Sequence, residues 1–366
     1  MFRGDFWRRF DFWLFGAVIL ALAFGVAMIR SSVAGNEELI NHPQRQMTYG
    51  GIGLAVVFVV TLIDYRFWAA LNRPMYIVMM LLLIILFLGA QAIFGAARWF
   101  QVGTILIQPT ELAKIVLILI LANYFSKHEF DPRTVRWMLG SLALTFGLAI
   151  WILLQPNLSN VIVLMVIWIA MLWINGVQVK HMLIMAGIGL VVIVAGFPFL
   201  QEYQQLRVIN FLFPDPGARH GATYNVLQAL IAIGSGGLLG EGYGLGSQTQ
   251  LRFMKVRHTD FIFSVTAEEF GFLGAVFLTL LLIVIILRCL RASRLARDTY
   301  GSLIAYGVAV VIFFQTAVNI AVNLNLIPVT GLPLPFISYG GSGLLSMMLG
   351  VGLVESVVLR HKPLEF

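Results

Sequence analysis

Residues 108–126 read QPTELAKIVLILILANYFS, an unbroken apolar run once Glu111 and Lys114 are passed. A bilayer's hydrocarbon core is about 30 Å thick, and a helix needs about 20 largely apolar residues to cross it. Nine further stretches have the same character, at about 11–30, 48–64, 75–93, 136–154, 158–175, 181–199, 262–287, 301–324 and 342–359. The whole chain agrees: of its 366 residues 60% are hydrophobic and 11% charged, and its mean hydropathy is +0.91. A soluble domain of this composition is excluded. The expectation is an all-α integral membrane protein, a single polytopic domain over 1–366, with ten transmembrane helices and both termini on one side.

The basic residues orient it. Fifteen of the 24 Lys and Arg fall on the side of the N-terminus, whereas the short loops opposite hold only Arg30, Arg45 and Arg98. Cytoplasmic loops carry the excess of positive charge, so both termini are expected in the cytoplasm. Five more, Arg207, Arg219, Arg252, Lys255 and Arg257, share the long loop at 200–261, between helices 7 and 8, which this orientation makes extracytoplasmic. Within that loop, Tyr224 to Leu239 is apolar but broken by Gly234, Gly236 and Gly237, and reads as an interfacial or re-entrant helix ending in a flexible turn. The net charge of +7 is divided among short clusters between apolar runs, so no nucleic-acid partner is expected. Arg3, Arg8 and Arg9 precede a first run long enough to stay as an anchor. With Cys289 as the one cysteine, there is no disulfide framework and no Cys-based metal site.

Three segments can carry chemistry. In the first, Glu111 and Lys114 stand at i and i+3 on one helical face inside a span. Charge within a span marks function by default, here a cation against a pyrophosphate or an acid in a polar cavity; the alternative is a structural ion pair locking two helices. In the second, 254–269 (MKVRHTDFIFSVTAEE), a basic cluster meets Asp260 where the eighth span begins. A carboxylate at the mouth of a cleft can act as general base towards a sugar hydroxyl. Arg252, Lys255, Arg257 and His258 are then placed to neutralise an anionic leaving group. The alternative is that Thr259 or Asp260 merely caps the helix. Of Glu268 and Glu269, one is expected to line the cavity and the other to hydrogen-bond a neighbouring helix. The third, 330–343 (TGLPLPFISYGGSG), cannot be regular helix, and irregular backbone at membrane depth is tolerated only where it lines a cavity. Ser338 is its candidate substrate contact. No zinc-ligand spacing and no Ser-His-Asp set is present. A divalent cation, Mg or Mn, shared by Asp260 and a substrate phosphate stays open.

Taken with Arg98-Trp99, Gln155-Pro156, Tyr224 through Gly237, His258 to Phe263, Ala267-Glu268-Glu269 and Gly331 to Gly341, these segments make the chain resemble the SEDS family (shape, elongation, division and sporulation), whose members include RodA and FtsW. The resemblance covers nearly the whole chain, and Arg257-His258 leans towards the RodA branch. It implies a peptidoglycan glycosyltransferase of ten helices that polymerises lipid II into a growing glycan strand at the outer face of the bacterial cytoplasmic membrane. It implies Asp260 as the catalytic acid of the His-Thr-Asp-Phe motif and Glu111, Lys114, Arg207 and Arg98 as substrate-site residues. It also implies a class B penicillin-binding protein as transpeptidase partner. Two positions depart from the family pattern: Asn157 stands where Asp is usual, which argues for a positioning role, and Lys255 stands where proline is frequent. A lipid II flippase using Glu111 and Lys114, and a non-catalytic scaffold for the penicillin-binding protein, are the rival readings.

Overall fold

The computed structural model of the chain describes residues 9–89, 99–102, 105–129, 134–214 and 221–361. Its helices are α1 (Phe12–Ser32), α2 (His42–Leu62), α3 (Tyr65–Ala70), α4 (Asn72–Gly89), α5 (Pro109–Lys127), α6 (Val135–Leu154), α7 (Leu158–Ile174) and α8 (Val179–Gly196). They continue as α9 (Glu202–Leu212), α10 (Gly221–Ser235), α11 (Ser247–Gln250), α12 (Ile262–Leu295), α13 (Thr299–Asn323) and α14 (Gly341–Leu359). A short antiparallel hairpin, β1 (Phe100–Val102) and β2 (Ile105–Ile107), precedes α5. Nothing in the hydropathy pattern signals that hairpin. Among the described residues nine helices are long and apolar enough to cross a membrane, and the 17-residue apolar α7 occupies the place of the sixth expected span. The chain is a multi-pass membrane protein.

Local chemistry sets the helix ends. Asp11, Thr134 and Asp298 accept from Leu14 N, Trp137 N and Gly301 N, capping α1, α6 and α13. Pro109 opens α5, where its missing N–H is no loss. Pro156 stops α6 and separates it from α7 by a tight connection.

The bundle centres on α5, α13 and α14, which bury most of their lengths, while α14 also packs along α2, and α12 against α13 and α1. On the N-terminal side Arg288 pairs with Asp11 at 2.6 Å and Arg66 with Asp298 at 2.8 Å. By contrast, no residue of α8 is buried.

The long loop folds back on the bundle. The expected interfacial helix is present as α10 and lies on α12, but the glycine turn after it is docked and not free. At Gly271 the backbone of α12 leaves the helix (φ 65°, ψ −163°), a conformation that strongly favours glycine. The break frees amides and carbonyls that must find partners inside a membrane protein. The turn supplies them: Phe272 N donates to Gly237 O at 2.8 Å, while Glu241 N and Gly242 N donate to Glu268 O and Glu269 O at 2.9 and 3.0 Å. A Cβ on Gly271 would sit 2.4 Å from Gly240 N, so the two segments touch backbone to backbone.

Candidate active site

On the side opposite the N-terminus, the starts of α5, α7, α12 and α14 surround a cavity of about 480 Å³. Its wall is built from Gln108 and Glu111 of α5, Asn157 to Asn160 entering α7, Tyr203, Gln204 and Arg207 of α9, Thr259 and Asp260 before α12, and the irregular chain from Pro328 to Pro333 with Tyr339 to Gly343. The expectation that the glycine- and proline-rich segment lines a cavity therefore holds. Each of those four helices is 17 residues or longer and points its N-terminus at the same space. A helix N-terminus carries roughly half a positive charge, so four of them favour an anion there.

Asp260 is fixed by its backbone and left free at its carboxylate. Its carbonyl accepts from Asn319 Nδ2 at 3.0 Å and Asn323 Nδ2 at 2.9 Å, both on α13. The flanking carbonyls are held too: Ser338 Oγ donates to Thr259 O at 2.6 Å, and Tyr339 N donates to His258 O at 3.0 Å. The residue before α12 is Phe261, with no side-chain cap, and Thr259 Oγ1 donates to Val256 O, so neither Thr259 nor Asp260 caps the helix. Among the described residues no donor hydrogen-bonds the Asp260 carboxylate. Burial pushes its pKa up to about 6, against the pull of the Arg207 guanidinium.

Arg207 Nη1 donates to Val329 O at 3.2 Å, and its guanidinium stands 5.7 Å from the Tyr203 ring centroid. Gly331 lies between the two charges. With φ +75°, a Cβ there would meet Asp260 Oδ2 at 3.9 Å and Arg207 Nη1 at 4.0 Å. Gly331→Ala is therefore expected to reduce polymer-forming activity at least tenfold, through backbone strain of about 1 kcal/mol and a methyl group in the reacting space. A rate assay with a melting curve in detergent checks it.

Glu111 reaches the cavity, and Lys114 does not. Lys114 Nζ is fully buried and bound to Glu111 Oε2 at 2.6 Å, so it acts on the cavity only through Glu111. Other expected contacts also lie elsewhere. Lys255 is exposed, with its backbone N donating to Asn225 Oδ1. Arg257 is buried the other way, donating from Nε to Ser32 O and from Nη1 to Met254 O, and Arg252 donates to Gly35 O. His258 packs its ring on His42 and Tyr339 behind the wall, and burial with His42 and Arg257 nearby lowers its pKa to about 4. Glu268 holds the loop, accepting from Gln248 N and from Thr249 N and Oγ1, while Glu269 accepts from Ser31 Oγ. Ser338 is a buried brace for Thr259 and not a substrate contact. Arg98 lies outside the described residues. The cations of the second motif thus face away from the cavity because a tight turn over 254–261 sends successive side chains in different directions. The cavity's positive character comes instead from Arg207 and the helix starts. Those starts escape sequence reading because only tertiary packing brings them together.

A second recess, about 190 Å³ between α4, α5 and α14, is lined by Trp68, Met79, Leu112, Leu353 and similar side chains, with no group able to do acid–base chemistry.

Fold and site define a multi-pass membrane protein with a carboxylate and an anion-attracting cavity at one membrane face. The family model described as "Cell cycle protein" (FtsW, RodA, SpoVE) matches residues 12–362, and the chain belongs to that family. It is 36% identical over 96% of its length to the "Probable peptidoglycan glycosyltransferase FtsW" of Hydrogenovibrio crunogenus, covering 92% of that protein. It is 33% identical over 95% of its length to the peptidoglycan glycosyltransferase MrdB of Escherichia coli, covering 93% of it. Among solved structures, Thermus thermophilus rod shape determining protein RodA superposes with a TM-score of 0.71 at 29% identity, over 97% of this chain and 98% of that one. A chain from "Structural coordination of polymerization and crosslinking by a peptidoglycan synthase complex" gives 0.81 at 30% identity, over 95% and 97%.

Proposed function

We propose that this chain is a peptidoglycan glycosyltransferase that polymerises lipid II at the outer face of a bacterial cytoplasmic membrane, with both termini in the cytoplasm. The observation that carries the reading is the single cavity that joins the Asp260 carboxylate, the Arg207 guanidinium and four helix N-termini at one membrane face. Asp260 takes the proton from the acceptor's GlcNAc 4-hydroxyl as that oxygen attacks the anomeric carbon of the donor MurNAc. The bond to the lipid diphosphate breaks, configuration inverts, and the developing negative charge is met by Arg207 and the helix starts. Glu111, held by Lys114, fixes the opposite wall.

Among the described residues no three His, Cys, Asp or Glu side chains come together. A divalent cation at this site would therefore be held by Asp260 and the substrate's diphosphate oxygens jointly. The transpeptidase that crosslinks the product is supplied by a partner, a class B penicillin-binding protein. The resemblance to a chain of a synthase complex supports that assignment.

A flippase needs a polar route through the bilayer. Beyond Lys114 the buried face of α5 runs from Ile115 to Ala122 without a polar residue, which favours chemistry at the surface. Purified protein with lipid II, alone and with its partner, is expected to yield long glycan strands. Translocation of labelled lipid II in liposomes without polymer would overturn the proposal. The rate is also expected to fall about tenfold per pH unit below about 6, since Asp260 must be ionised to accept a proton and is protonated there. An initial-rate profile from pH 5 to 8 checks this.

A further inference from the structure

Two side chains of the cavity wall hold polar atoms that nothing in the protein engages. Asn157 is 7% exposed and Asn160 4% exposed, and both line the cavity. Asn157 Nδ2 has no acceptor, and Asn160 Oδ1 has no donor. An Asn preceding a helix ordinarily caps it through its side chain, but the Asn157 side chain makes no such bond to α7. Asn160 is immobilised by its other end, since Nδ2 donates to Thr110 Oγ1 on α5 at 3.2 Å. Their neighbours are engaged. Ser159 Oγ donates to Thr330 O, and Pro156 O accepts from Tyr203 Oη at 2.7 Å and Gln204 Nε2 at 3.4 Å.

A buried donor and a buried acceptor left empty in a braced wall cost folding free energy, and a ligand that fills both recovers it. Positions i and i+3 of a helix start share one face, so the two atoms address the same part of the cavity. The group that matches one donor and one acceptor is a neutral secondary amide. Its C=O accepts from Asn157 Nδ2, and its N–H donates to Asn160 Oδ1. A phosphate or carboxylate would place its oxygens against the Asn160 carbonyl and is disfavoured there.

We propose that Asn157 and Asn160 form a specificity subsite for the 2-acetamido group of a substrate sugar. The assignment rests on the glycosyltransferase reading, in which Asp260 of the same cavity reaches a sugar hydroxyl. A stem-peptide amide has the same chemistry but hangs from the lactyl arm, away from the hydroxyl that Asp260 must reach.

The test compares lipid II with an analogue bearing a 2-acetoxy group, which keeps the carbonyl and the size but lacks the N–H. A third substrate lacks the stem peptide. With wild-type protein the acetoxy analogue is expected to bind about ten to a hundredfold more weakly than lipid II, because Asn160 Oδ1 is left unpaired. Asn160→Leu is expected to bring that ratio to near one. Asn157→Leu, with Asn157→Ser as a smaller replacement, is expected to weaken both substrates alike and leave the ratio intact. Equal binding of the two by the wild type, or the wild-type ratio kept in Asn160→Leu, overturns the subsite. Discrimination that vanishes with the stem peptide overturns the sugar assignment. Wild-type protein that polymerises lipid II without discriminating defeats this inference alone, whereas discrimination without polymer defeats the polymerase reading and leaves the amide subsite standing.

Discussion

Replacing Asp260 with alanine is expected to lower the rate of glycan polymerisation by roughly 10²–10⁴-fold, the usual contribution of a positioned general base. The fold should survive, because what secures this segment is backbone. Asn319 and Asn323 hold the Asp260 carbonyl, Ser338 holds Thr259, and the carboxylate itself bonds no donor among the described residues. Removing a half-buried charge that no ion pair within hydrogen-bond distance compensates should leave the melting temperature in detergent unchanged or slightly raised. A rate loss accompanied by unfolding would assign Asp260 a structural role instead.

The second large effect concerns Lys114. Its ammonium is fully buried and bound to Glu111 at 2.6 Å, inside one of the most buried helices. Breaking a buried pair from one side leaves an uncompensated charge and costs about 3–5 kcal/mol. Lys114→Met is therefore expected to destabilise the protein by that amount and to reduce activity through a displaced Glu111. The double change Lys114→Met with Glu111→Gln should recover most of the stability, since it removes both charges together. It should not recover full activity, because Glu111 lines the cavity. Chemical or thermal denaturation of the three proteins, read beside their rates, separates the two effects.

Much of this architecture is legible in the chain before any coordinates. The spans follow from apolar length alone, and Pro109, Pro156 and the Asp298 cap give their ends. Asp260, Glu111 and Arg207 are found because an acid or a cation at a helix start beside a membrane is costly and therefore informative. What hydropathy does not contain is direction within a turn. Lys255, Arg257 and His258 adjoin Asp260 in sequence, yet the turn points them to solvent, to α1 and to the His42 ring. The break at Gly271 was hidden for a related reason. It is stabilised by the glycine turn at 236–242, some 30 residues earlier, and neither segment alone announces the other.

The lone carboxylate poised over an anion-attracting cavity is the claim on which the mechanism stands. The most direct test is single-turnover conversion of purified lipid II by Asp260→Asn, which keeps the shape and removes only the charge. The account predicts a folded protein that binds lipid II and makes at most about 1% of the wild-type product. Polymer formation at the wild-type rate would contradict it.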